Sequence, residues 1–344
     1  VIDPSQAPAS ALVYSTFLGG TNFEEPYGIA VAKGKVFVTG YTTSDDFPVG
    51  NAYQVARVGG YDAFVTEIDP TQSGFASLIG STFFGGSGQD IARAITVDSA
   101  GFVYIAGVTY SGDLPVTGNA YQRFYQGVGD AFIAKIDMTA AQLLYCSYFG
   151  TGDTEEAKKI LVEPSGRVAI AGYTVSSAFP VTPNALQPVF GGGSDAFLSI
   201  FDLTQPGPQQ LAYSTYFGGS DAEVAYEMKR DASGKYYLGG YTLSKDLPIT
   251  GDALNPGSDF GGVDGFVAVI NPAAPLGKGL AYSSYYTSGG NQIVYALDVD
   301  SKGNIYVTGV ATANVFPAGF AAHTSGFGNQ DLFFSVVSPS APGS

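Results

Sequence analysis

Apolar and polar positions alternate along this chain in short runs, broken by glycine-rich turns and longer polar loops. The clearest run is ARAITVDSAGFVYIAGVT, residues 92–109. Two apolar stretches flank the turn Asp98-Ser99-Ala100-Gly101. This predicts a tight β-hairpin, in which the glycine supplies the positive φ near the end of the turn. Equivalents stand at residues 27–42, 157–174, 225–242 and 294–311. Three of them turn on Glu163-Pro-Ser-Gly166, Asp231-Ala-Ser-Gly234 and Asp300-Ser-Lys-Gly303; the first, Ala32-Lys-Gly34, is one residue shorter. The turns share an acidic opening with calcium loops but lack the alternating ligands and the distal Glu, so they read as turns.

Three further patterns keep step with the hairpin. An aromatic strand recurs as LVYSTFLGG, LIGSTFFGG, LLYCSYFGT, LAYSTYFGG and LAYSSYYTS, starting at residues 12, 78, 143, 211 and 280. A polar loop carries Phe47-Pro48, Leu114-Pro115, Phe179-Pro180, Leu247-Pro248 and Phe316-Pro317. A period-two strand begins with Asp62, Asp130, Asp195, Asp264 and Asp331. A steady period with four strands and no helix per unit predicts an array of β-sheets.

The fold expected is all-β: a five-bladed β-propeller with four antiparallel strands per blade, residues 1–344 forming a single domain. The repeats run at about 12–77, 78–142, 143–210, 211–279 and 280–338. The first hairpin strand is placed innermost, then the second, then the Asp-led strand, with the aromatic strand outermost. Residues 12–20 would then pair with the C-terminal strand 331–338 and close the ring. The same pairing between copies would give a filament.

Composition fits this picture. Tyr (23), Phe (24) and Gly (47) are abundant and Trp is absent, as suits pleated strands and many turns. The net charge of −15 argues against nucleic acid and is compatible with cation binding and with solubility outside cells. Cys146 is the single cysteine, so no intrachain disulfide forms; it reads as a small buried side chain. No apolar run is long enough to span a bilayer. The chain opens at Val1 and is read as a processed or trimmed product, which leaves room for a lost export signal.

The combination YSTYFGG, the GIAVDSAGNVYVTGYT-like hairpin, the Asp-Phe-Pro loop and GGSDAFVAKID resembles the bacterial propeller repeats called SBBP repeats, and all five units share it. The resemblance implies a secreted or surface-anchored bacterial protein. It brings no established catalytic residues.

Several columns of residues are candidates for chemistry. Asp62, Asp130, Asp195, Asp264 and Asp331 are expected to be structural, accepting backbone N–H bonds beside a Gly-rich turn. Glu24, Asp90, Glu155 and Glu223 align just ahead of the inner strand, with Gln292 in the fifth unit. They read either as loop anchors or as a ring at the funnel mouth for a cation such as calcium or a polar ligand; a glycosidase pair is the third reading. One inner-strand position carries Tyr27, Arg93, Lys158, Tyr226 and Tyr295, and Lys229 adds a charge further along. These read as channel-wall pairs, or as cations and ring faces for an anionic or sugar ligand. His323 is the only histidine, which excludes a multi-His metal centre. No cofactor is called for.

The function expected is a non-enzymatic, extracellular or cell-surface binding or scaffold protein that uses the long-loop face. Its partners would be carbohydrate, another surface protein or itself. The alternatives are a fibre or surface-layer subunit assembled by strand exchange, and a glycoside hydrolase.

Overall fold

The computed structural model describes residues 11–258, 262–287, 289–312 and 329–339. The hairpins form where the alternation places them. The first sheet comprises β1 (Glu24–Ala32), β2 (Lys35–Thr42), β3 (Asp62–Ile68) and β4 (Leu78–Phe84). The second comprises β5 (Asp90–Val97), β6 (Val103–Thr109), β7 (Asp130–Asp137) and β8 (Gln142–Phe149). The third comprises β9 (Glu155–Val162), β10 (Val168–Thr174), β11 (Asp195–Phe201) and β12 (Leu211–Phe217). The fourth comprises β13 (Glu223–Arg230), β14 (Tyr236–Thr242), β15 (Asp264–Ile270) and β16 (Leu280–Tyr286). The fifth comprises β17 (Gln292–Val299), β18 (Ile305–Ala311) and β19 (Asp331–Val337).

Strands sit side by side in chain order within every sheet, as the repeat phase predicts. The chain divides into two compact units. One is residues 1–151 with 160–168 and 203–210; the other is 152–159, 169–202 and 211–344. The first unit contains the first two sheets, and the second contains the last two sheets and most of the third.

The turns explain themselves locally. Asp98 Oδ1 accepts the N–H groups of Gly101 and Phe102, each at 2.9 Å, and Tyr104 Oη donates to Asp98 Oδ2 at 3.0 Å. The oxygens a calcium ion would need are engaged inside the turn. Tyr237 closes on Asp231 in the same way. The shorter first turn places both Lys33 and Gly34 in the left-handed region, as a two-residue hairpin requires.

Sheets stack through repeated ring contacts. Phe84 meets Phe132 at 5.3 Å in the first unit. Phe217 meets Phe266 at 5.5 Å, and Tyr286 meets Phe333 at 5.1 Å, in the second. Each such ring contributes about 1.5–3 kcal/mol by leaving water. Around the first contact lie Ala63, Val65, Ile95, Ile105, Ala134 and Cys146, all buried. The Phe-Pro and Leu-Pro loop tips are buried too: Phe47, Leu114, Phe179 and Leu247 are at most 4% exposed. Tyr148 Oη fixes one tip by donating to Ser111 O at 2.8 Å and accepting the Leu114 N–H at 2.9 Å.

The expected closing strand is not seen. Among the described residues the fifth sheet has three strands, and residues 13–20 enter no sheet. Tyr14 Oη instead meets Ser77 Oγ at 2.7 Å, beside the outer strand of the first sheet. Phe17, at the position Tyr148 fills in the second sheet, is fully exposed. The segment therefore lacks the two-sided burial that orders its counterparts β8, β12 and β16. Phe316, Pro317 and His323 lie outside the described residues.

Candidate functional site

The two acidic columns meet across the sheets at the end where the long loops emerge. Thr42 on β2 stands opposite Glu24 on one side and Asp62 on the other. Asp90, Thr109 and Asp130 repeat this row, as do Glu223, Thr242 and Asp264. The threonine hydroxyls donate to the first column: Thr42 to Glu24 at 2.8 Å, Thr109 to Asp90 at 2.5 Å, Thr174 to Glu155 at 2.9 Å and Thr242 to Glu223 at 2.5 Å.

This geometry favours loop anchors, the first reading of this column, over a ring of ligand-facing carboxylates. Asp90, Glu155 and Glu223 have no exposed surface, and Gln292 is equally buried. Asp90 also accepts the Gly86 N–H and the Ser111 hydroxyl, both at 2.8 Å. Glu24 takes the Ser44 hydroxyl at 2.5 Å. These acids tie the link entering each sheet to the loop leaving its second strand. Among the described residues no group of three acidic, Cys or His side chains is placed to hold a metal ion.

The Asp-led column is held by its own loop. Asp62 accepts from Gln54 Nε2 at 3.1 Å and from the N–H groups of Val58 and Gly59 at 2.9 and 2.8 Å. Asp130 accepts from Gln122, and Asp195 from Gln187 and the Gly191 N–H. Asp264 is buried and Asp331 half-buried at the same strand position.

Carboxylates of successive repeats converge on the first glycine of the Gly-Gly pairs. A Cβ on Gly85 would lie 2.7 Å from Asp90 Oδ2 and 3.1 Å from Asp62 Cγ. A Cβ on Gly218 would land on Glu223 Oε2 and, at 2.6 Å, on Asp195 Oδ1. Burial pushes Asp90 up to about 6, against its hydrogen bonds. Burial, and then the charge of Glu223, push Asp195 up to about 7. Burial raises Glu223 as well. The glycines are there because two carboxylates fill the space a side chain would need.

The inner-strand candidates share a different device. Registers slip between Pro26 and Gly28, Ala92 and Ala94, Ala225 and Glu227, and Val294 and Ala296. Tyr27, Arg93, Tyr226 and Tyr295 are thus the extra residues of four β-bulges, which turn a side chain away from the ordinary pleat. The bulge dictates the glycine opposite. A Cβ on Gly40, Gly107, Gly240 or Gly309 would overlap the carbonyl oxygen of Glu25, Ile91, Val224 or Ile293. Gly172 faces Glu156 O in the same way.

The bulged side chains meet one another within each unit. In the first, the Arg93 guanidinium lies 4.1 Å from the centre of the Tyr27 ring. Burial raises the Tyr27 phenol and Arg93 opposes that shift. Tyr41 packs 6.2 Å from Tyr27 and donates its hydroxyl to Glu25 at 3.1 Å. In the second unit, Lys158 pairs with Glu156 at 2.7 Å and lies 5.6 and 6.0 Å from the rings of Tyr173 and Tyr226. Tyr226 continues to Tyr295 at 5.3 Å. Lys229 stands apart, further along β13 opposite Tyr237. The adjacent Lys159 pairs with Glu227 at 3.1 Å.

Sequence reasoning missed three participants: the Thr-x-Ser pair after each second strand, the Gln that holds the Asp-led column, and the bulge. The repeated Thr42/Ser44, Thr109/Ser111, Thr174/Ser176 and Thr242/Ser244 pairs were the available signal.

No curated protein matches the chain. Among solved structures, a Bacteroides caccae protein of unknown function is 11% identical, with TM-score 0.40 over 83% of this chain and 70% of that one. A levansucrase mutant from B. megaterium is 13% identical, with TM-score 0.38 over 91% and 85%. A polysaccharide lyase described as an ulvan lyase is 9% identical, with TM-score 0.40 over 86% and 68%. The model of a family described as a beta-propeller repeat, SBBP, matches residues 75–115 and 281–317. The chain carries SBBP beta-propeller repeats at those two places, one beginning just before β4 and the other within β16.

Proposed function

We propose that the chain is a five-bladed, non-enzymatic binding or scaffold protein, exported or held at a bacterial cell surface. Its ligand contacts run along the bulge residues of the leading strands, near the long-loop end. One observation carries this reading: the same bulge recurs in four sheets and turns Tyr27, Arg93, Tyr226 and Tyr295 out of the pleat. Hairpin formation alone does not require a ring or a cation there. Ring faces beside fixed cations suit the apolar faces and hydroxyls of a sugar, especially an acidic one. The net charge of −15 and the repeat resemblance support a place outside the cell.

A glycan array probed with wild type and with the Arg93→Ala and Tyr226→Ala variants tests the assignment. Wild type should bind an acidic glycan, and each variant should lose about tenfold in affinity, or about 1.4 kcal/mol. Absence of any wild-type signal above background removes the carbohydrate reading. Retention of full affinity by both variants moves the contact elsewhere.

A further inference from the structure

Three joints between consecutive sheets lie wholly inside one unit or the other: first to second, third to fourth and fourth to fifth. Their backbone bridge is the same. The N–H groups of Asp90, Glu223 and Gln292 donate to the carbonyls of Tyr61, Ser194 and Val263 at 2.7, 2.6 and 2.7 Å. Their side chains differ. Between the first and second sheets, all four oxygens of Asp62 and Asp90 are taken. Gly59, Val58 and Gln54 donate to Asp62, and Thr109, Gly86 and Ser111 donate to Asp90. Between the fourth and fifth sheets, Gln292 replaces the leading acid and Thr287 replaces the glycine. An amide brings its own N–H donors to a carboxylate.

The joint between the third and fourth sheets has neither arrangement. Asp195 and Glu223 are both fully buried. Asp195 Oδ2 accepts from Gln187 and Gly191. Glu223 Oε1 accepts from Thr242, and Oε2 accepts the Gly219 N–H at 2.8 Å. Asp195 Oδ1 has no hydrogen-bond donor. With Glu223 Oε2, it faces the one place a Gly218 side chain would occupy. A buried oxygen without a donor is costly, and two bare carboxylates side by side repel. A single proton on Asp195 Oδ1 removes both costs, because it turns the orphan acceptor into a donor aimed at Glu223.

We propose that Asp195 and Glu223 share one proton in the folded chain and form a pH-sensitive latch between the third and fourth sheets. While the proton is held, the loop 187–194 is fastened to the link 218–223. When it is lost to water, two buried negative charges face each other and the joint loosens. Burial and the charge of Glu223, which push Asp195 up to about 7, set the release near neutrality. Tyr216 feels the charge of Asp195, and Tyr241 and Tyr285 feel that of Glu223; all three phenols are raised and stay neutral there. The exposed Asp246 accepts from Ser220 beyond Gly219 and stays charged. Among the described residues no Lys or Arg pairs with either acid of the latch. The latch is independent of ligand binding at the bulge row and uses other residues.

Carbon-13 NMR of labelled aspartate carboxyls tests the pair, with the Asp195 signal confirmed by its loss in Asp195→Asn. Asp195 should titrate at least about two pH units above an ordinary aspartate. Glu223→Gln, which copies the amide of the fifth sheet, should lower that midpoint by about one unit or more. Amide hydrogen exchange reads the joint itself. Corrected for intrinsic chemistry, protection of the Gly191 and Gly219 N–H groups should fall about tenfold from pH 5 to pH 8 in wild type. It should stay constant in Glu223→Gln, and at the Gln292 N–H of wild type. An Asp195 that titrates with the ordinary aspartates overturns the proposal. So does a midpoint that Glu223→Gln leaves in place, or wild-type protection at Gly191 and Gly219 that does not fall with rising pH.

Discussion

Ile95 and Ile29 occupy the same position of the same strand in neighbouring repeats, yet one is 8% exposed and the other 70%. Phe333 and Phe334 are adjacent in β19, yet they are 6% and 66% exposed. Neither contrast comes from residue type. Phe333 faces the fourth sheet, where Tyr286 lies 5.1 Å away, and Phe334 faces outward. The difference separates two sources of order. Hydrogen-bonded hairpins and bulges are complete within one sheet, whereas apolar burial requires the neighbouring sheet.

The largest expected effect breaks that contrast directly. Phe333→Ala should destabilise the chain by about 3–5 kcal/mol in urea titration. Phe334→Ala should stay within about 0.5 kcal/mol under monomeric conditions. Equal losses would mean that Phe334 is covered in solution. A second pair of substitutions sharpens the distinction. Gly40→Ala and Gly107→Ala should each cost about 3 kcal/mol, because the added methyl overlaps a backbone carbonyl in both the first and the second sheet. Gly112→Ala, which meets nothing within 4 Å, is the control. A much smaller loss at Gly40 would show that the bulge depends on neighbouring sheets.

The smallest effect concerns protons. Asp195 rises from 3.8 to about 7 and Asp90 from 3.8 to about 6 on folding. The folded chain therefore holds more protons than the unfolded chain between those values. The contribution of these groups to stability is full below about pH 4 and is lost as pH rises through about 6–7. Asp195→Asn keeps one oxygen for Gln187 and Gly191 and turns a donor toward Glu223. It should raise Tm at pH 8 by about 2–4 °C and flatten the slope between pH 5 and 8. A fall in Tm at pH 8 would show that the charge of Asp195 is itself stabilising.

Strand order and hairpin turns were readable because period-two alternation and turn glycines act over a few residues. Burial of Asp90, Glu155 and Glu223 was not. Their place ahead of a strand fitted loop anchors and a solvent-facing ring alike, because the Thr-x-Ser pairs that cover them arrive about twenty residues later, from the far side of a hairpin. The bulges were hidden for a related reason. Gly107 announces only that a side chain is missing, and the carbonyl of Ile91 that excludes it comes from the partner strand. The position of Tyr27 and Arg93 was legible as a departure from the repeat, without the backbone geometry that turns them outward.

Cys146 lies within this same layered order. It sits on the outermost strand of the second sheet with no exposed surface, and burial raises its thiol further from ionisation. A thiol reagent can reach it only when β8 separates from its neighbours, so the rate of its alkylation counts the openings of that sheet. The chain thereby contains a clock for local unfolding, in a structure with no second cysteine to confuse the reading.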